Sequence, residues 1–120
     1  MTIVSYCEQG KWILLSSDII DYELSQMSDG DKLKQVEEYR SISREQLSLS
    51  IDVENRARYF QQFGVKLYDS YHLAIAELGQ ADIVLTVDNR FLRNAKKIDD
   101  LKVAIDNPVF WLMEVMRNER

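Results

Sequence analysis

The run ADIVLTVD, residues 81–88, constrains the fold more tightly than any other part of the 120-residue chain. It is almost continuously apolar and rich in side chains branched at Cβ, which suit a pleated strand. A strand that does not alternate between apolar and polar is one covered on both faces, so this run belongs in the middle of a sheet. KWILLS (11–16), LSLSID (47–52) and KVAID (102–106) read as further strands. Helical patterns separate them. TIVSYCEQ stops at Gly10 and brings Ile3 and Cys7 to one side; IIDYELSQM follows the first strand; DKLKQVEEYR is polar and exposed. DVENRARYFQQF ends at Gly64 with Ala57, Phe60 and Phe63 inward, and DSYHLAIAEL ends at Gly79 with Leu73, Ala74, Ala76 and Leu78 toward the core. Pro108 fits the first turn of a last helix, PVFWLMEVM. Strands alternating with helices imply βαβ units, so the expected fold class is α/β: a three-layer α/β/α arrangement around a mainly parallel sheet.

This length supplies one core, and no internal boundary, repeat or low-complexity tract interrupts it, so residues 1–120 read as a single domain. The hydrophobic fraction of 46% is that of a globular protein. No apolar run approaches the roughly 18 residues of a membrane span, and the first residues lack the pattern of a signal peptide. The expected location is cytoplasmic, with no membrane partner. The single cysteine, Cys7, has no disulfide or metal-ligand companion and reads as packing. The net charge of -5 gives no long-range attraction for nucleic acid, so any such contact must be local. The best basic cluster is Arg90, Arg93, Lys96 and Lys97, of which 90, 93 and 97 recur at helical spacing. It is either a solvated helix face or a guide for a phosphate backbone.

In open parallel sheets, functional groups gather beyond the carboxyl ends of the strands. Three carboxylates fit that rule: Glu23 in the helix after WILLSS, Asp69 opening DSYHLAIAEL, and Asp88 closing DIVLTVD. Each has a plainer reading. Asp69 serves as an N-cap, Asp88 opens a turn with Asn89, and Glu23 decorates the surface beside Asp21. Taken together they favour a divalent cation, because clustered carboxylates repel unless a positive charge compensates. His72, the only histidine, lies on the same general side of its helix as Asp69 and reads first as a packed or hydrogen-bonded residue, second as a ligand. No glycine-rich phosphate loop, zinc spacing or Ser-His-Asp pattern competes.

DSYHLAIAELGQADIVLTVDNRF resembles the PIN-domain family, the ribonuclease fold of VapC-type toxins, in which a helix opening D-x-x-H/L-A-x-A precedes a strand ending T-x-D-x-x-F. Here those positions are Asp69 with HLAIA, and Thr86, Asp88 and Phe91. WILLSSDIIDYEL is similar to the family's second strand and the helix bearing its acidic residue, which matches Glu23, and VAIDNPVFWL to its last strand and closing segment. The likeness covers residues 11–113. It implies a metal-dependent endoribonuclease cleaving RNA phosphodiester bonds, with Glu23, Asp69 and Asp88 as catalytic, metal-ligating residues for Mg2+ or Mn2+. It further implies RNA contact by Arg90, Arg93 and Lys97, and a protein antitoxin as partner.

The chain departs from the family at its start. MTIVSYCEQG has no preceding strand, so the PIN-like domain reads as N-terminally incomplete, without the central first strand and its aspartate. Removing that strand leaves two edges about 10 Å apart, twice the ordinary spacing. Three outcomes are open: the edges close and pair, a strand exchanged from a second copy fills the slot and makes a homodimer, or the domain is loose. Besides the nuclease, two other readings remain: a non-catalytic PIN-like module for binding or self-association, and an unrelated α/β domain with capping acids.

Overall fold

A computed structural model of the chain describes residues 3–17, 30, 34, 37, 43 and 45–118. It divides into two compact units, Met1–Leu49 and Ser50–Arg120.

In the first unit, helix α1 (Ile3–Glu8) ends in the left-handed turn that its glycine predicts. Gly10 has φ 81°. Its N–H donates to the Cys7 carbonyl at 3.1 Å and the Lys11 N–H donates to the Tyr6 carbonyl at 3.0 Å, the Schellman arrangement that satisfies a helix's last carbonyls. The reversal carries Lys11 and Trp12 back over the helix. The Trp12 ring lies 4.7 Å from that of Tyr6, and the Lys11 ammonium stands 4.9 Å over the same Tyr6 ring. Tyr6 and Cys7 are buried. The strand expected over 11–16 therefore begins late, as β1 (Leu15–Ser17). It pairs in parallel with β2 (Glu45–Leu47), Leu15 opposite Glu45 and Ser17 opposite Leu47. The expected helix IIDYELSQM and most of DKLKQVEEYR lie outside the described residues; Lys34 and Glu37 are helical and exposed.

The second unit opens with a correction. Residues 47–52 were expected to be a strand, but β2 stops at Leu47 and helix α2 runs Ile51–Gln61. Ser50 is extended, and its Oγ accepts from the Val53 N–H at 3.2 Å. Asp52 and Glu54 follow in the first turn, where they oppose the positive end of the helix. This cap outweighs the strand-like alternation of LSLSI. Val53, Ala57 and Phe60 are buried, at the spacing of one helical face. Phe63 is half-buried, edge-on to Tyr59 with ring centroids 5.2 Å apart.

Helix α3 (Leu67–Leu78) packs against α2 through a connection of residues 62–66. Gly64 has φ 89°, and a Cβ there would sit 3.1 Å from Asn94 Nδ2, which donates to the Gly64 carbonyl. Leu73, Ala74, Ile75 and Ala76 are buried, whereas Leu78, expected inward, is largely exposed. Glu77 takes the inward place in that last turn. Ser70 is fully buried and satisfied: its Oγ donates to the Leu67 carbonyl at 2.6 Å and accepts from Gln61 Nε2 at 3.0 Å.

The end of α3 puts its glycine one position early. Gly79 has φ -83°, while Gln80 takes the left-handed conformation at φ 61°. Around it, Gln80 N–H donates to Glu77 O and Ala81 N–H to Ala76 O. A side chain in this conformation costs about 1 kcal/mol that glycine avoids. Gln80→Gly is expected to raise the melting temperature by about 4 °C, read by differential scanning calorimetry; an unchanged or lower value would rule out strain at this turn.

A βαβ unit follows: β3 (Ile83–Leu85), α4 (Asn89–Ala95) and β4 (Ala104–Asp106), with Ile83 opposite Ala104 and Leu85 opposite Asp106 in parallel register. The chain is thus of mixed α/β class. One expectation is corrected here. Among the described residues β3 is paired on one side only, and Ile83, Val84 and Leu85 are half-buried rather than central. The described strands form two parallel two-stranded sheets, β1–β2 in the first unit and β3–β4 in the second. Helix α5 (Pro108–Asn118) begins at its proline, as expected. Asn107 Oδ1 accepts from the Val109 and Phe110 N–H groups. No residue of α5 is buried. Among the described residues no helix is long and apolar enough to cross a membrane.

A charged network ties the helical pair to the βαβ unit. Arg56 Nε and Nη2 donate to the two oxygens of Glu77 at 2.7 and 3.2 Å, and its Nη1 and Nη2 donate to the Asp100 carboxylate and carbonyl at 2.9 Å. The Glu77 side chain is only 5% exposed and also accepts from the Lys102 N–H at 2.9 Å. Tyr59 OH donates to Asp100 at 3.1 Å, and the Arg56 guanidinium lies 4.7 Å from the Phe60 ring. Stranding the Glu77 carboxylate by deleting Arg56 costs about 3 kcal/mol. Arg56, with Tyr59 adding to it, holds the Asp100 carboxyl below its ordinary range. A depressed carboxyl stabilises the fold above its unfolded pKa, and that contribution disappears as pH falls through the folded value. Urea unfolding from neutral pH to about pH 3 is expected to show a shallower acid loss for Asp100→Asn than for the parent; parallel curves would remove Asp100 from the acid response.

Candidate functional site

Asp69 lies in the first turn of α3, at its third residue, and is half-buried. It is not the N-cap: Lys66 holds that position without a side-chain bond. His72 is half-buried one turn further on. The capping role falls instead to Asp88. Asp88 has φ -80° and ψ 103°, just outside α4, and its Oδ1 accepts from the Arg90 and Phe91 N–H groups at 3.0 and 3.1 Å. Both bonds fall on one oxygen, and Oδ2 takes part in neither. Thr86 Oγ1 accepts from the Asp88 N–H at 3.1 Å, which fixes the entry to the turn. Thr86, Asp88 and Phe91, the polar and apolar marks of the T-x-D-x-x-F pattern, thus have distinct tasks: turn, cap, and a buried anchor.

The carboxyl ends of β3 and β4 lie side by side, because the Thr86 N–H donates to the Asp106 carbonyl at 3.0 Å. The Asp106 carboxylate, half-buried, accepts from the Asn107 N–H at 2.7 Å. This carboxylate at the rim was missed in the sequence, although the ends-of-strands rule applied to KVAID points to it. Among the described residues, no three His, Cys, Asp or Glu side chains gather closely enough to hold a metal ion. Glu23, with Asp18 and Asp21, lies outside the described residues. Asp69 and Asp88 are the members of the expected triad that are described, one in the first turn of a helix and one immediately before a helix.

The basic cluster is partly rearranged. Arg90 and Arg93 are exposed on α4. The helix ends at Ala95 with Lys96 as its C-cap, so Lys97 lies beyond it, and its ammonium donates to Asn94 Oδ1 at 3.1 Å. Asn94 is buried and bridges Lys97 to the Gly64 carbonyl. A polar residue among Phe91, Ala95 and Ile98, all buried, was the available signal for this role. The Cys7 thiol is buried, and burial followed by the Glu8 charge pushes its pKa up, which disfavours the reactive thiolate.

No protein-family model, curated protein or solved structure matches the chain.

Losing an N-cap costs about 1 kcal/mol, and asparagine caps nearly as well as aspartate. Asp88→Ala is expected to lower the urea-unfolding free energy by about 1 kcal/mol, with Asp88→Asn within a few tenths of the parent. Equal destabilisation by both variants would show that the charge of Asp88, and not its cap, supports the fold.

Proposed function

We propose that the chain is a PIN-like, metal-dependent endoribonuclease, built on the three-layer α/β/α plan expected from its sequence. The observation that carries this reading is the placement of two hard carboxylates, Asp69 in the first turn of α3 and Asp88 beyond the carboxyl end of β3. Only residues 79–82 join α3 to β3, a connection short enough for the helix to run back along the strand. In this reading that direction turns the start of α3 toward the end of β3 that Asp88 follows.

Carboxylate oxygens suit magnesium or manganese, which accept one or two such ligands and keep several waters. In this reading Asp69 and Asp88 would hold Mg2+ or Mn2+. When bound, the cation supplies an activated water and neutralises charge on the phosphate. The chain's own contribution is to keep Asp88 oriented through its cap and Thr86, and to present Arg90 and Arg93 beside it. The other parts of the reading, a protein antitoxin and a homodimer formed by strand exchange, draw support from the unpaired edge of β3 among the described residues.

A second reading is a non-catalytic PIN-like binding module. Incubation with single-stranded RNA and manganese separates the two. The nuclease reading expects cleavage that falls about a hundredfold or more in Asp69→Asn and in Asp88→Asn. Undiminished cleavage in both variants would end it, and RNA binding without cleavage would favour the module.

A further inference from the structure

Asp88 and the basic face of α4 are parts of one local structure. The helix has only seven residues, too few to be stable by itself. From Phe91 onward it is anchored by packing: Phe91 and Ala95 are buried, and Asn94 is bonded to Gly64. Its first two residues have no such anchor. Asn89 and Arg90 are exposed, and what organises them is the pair of bonds from the Arg90 and Phe91 N–H groups to Asp88 Oδ1. Arg90 and Arg93 stand one turn apart and are both exposed.

We propose that Asp88 is a positioning residue for RNA: by capping α4 it holds Arg90 in line with Arg93, so that both guanidiniums meet successive phosphates of a single-stranded RNA. This rests on the RNA reading above and adds a task for Asp88 that needs no metal. The occupant follows from charge complementarity, since two exposed arginines form a local positive face on a chain of net charge -5.

The two properties of Asp88 pull in opposite directions, which makes the inference testable. Its negative charge opposes RNA, so electrostatics alone predicts that Asp88→Asn and Asp88→Ala tighten binding equally. Its cap favours RNA, so positioning predicts that the variants part.

The experiment measures fluorescence anisotropy of a labelled single-stranded RNA of about 20 nucleotides, in EDTA so that no metal and no cleavage intervene. Full-length parent, Asp88→Asn, Asp88→Ala, Arg90→Ala/Arg93→Ala and the triple variant are compared over a range of salt, with circular dichroism confirming that each is folded. Asp88→Asn is expected to bind as tightly as the parent or tighter, and Asp88→Ala roughly fivefold more weakly, the factor that a lost cap supplies. The salt slope of Asp88→Ala should shift toward that of the double-arginine variant, which loses about 0.7 per phosphate contact. Adding Asp88→Ala to the double-arginine variant should cost nothing more. Equal affinity of the two Asp88 variants overturns the proposal, as does full additivity in the triple variant. A parent that does not bind RNA overturns it together with the RNA contact. The expected split in a protein that never cleaves RNA with manganese upholds the positioning role and removes the nuclease.

Discussion

The buried carboxylate of Glu77 is the constraint on which the second unit depends. It is nearly excluded from solvent, so its charge must be met, and it is met by the paired donors of Arg56 and by a backbone N–H ahead of β4. Because Arg56 also holds Asp100, one guanidinium joins α2, α3 and the segment leading into β4. Apolar burial along Val53, Ala57, Phe60 and Leu73 brings the helices together without specifying direction. The ionic contacts supply the direction.

Much of the local architecture was legible because it depends on neighbours in sequence. Gly10 marks a Schellman turn, Pro108 opens a helix, and the inward faces of α2 and α3 follow the apolar spacing. Errors arose where two local codes compete. Leu47, Leu49 and Ile51 alternate as in a strand, yet Ser50 reads as a helix cap, and the cap won. The same competition exchanged the two aspartates: Asp69, which looked like a cap, lies inside its helix, while Asp88, which looked like a strand end, caps the next one. The network of Arg56 was not legible at all, since its partners lie 21 and 44 residues away and nothing in the local pattern pairs them.

The candidate site was legible as residue types at the ends of elements, and less so as geometry. The positions of Asp69 and Asp88 near helix starts follow from the pattern of strands and helices. Whether carboxylates converge depends on tertiary placement, which periodicity does not encode. Asp106 shows the reverse case, a rim residue that the topology exposes and the motif passes over.

The bond from the Lys102 N–H to Glu77 bears on how the last strand finds its alignment. Ala104, Ile105 and Asp106 form a segment too short for its own side chains to distinguish one alignment from the next. A slip by one residue would exchange the two faces of the strand and move Asp106 away from Leu85. Two residues upstream, the Lys102 N–H is held by an acceptor that cannot be left without its donors, a fixed stop that sets the phase of a three-residue strand from a helix that is not part of the sheet.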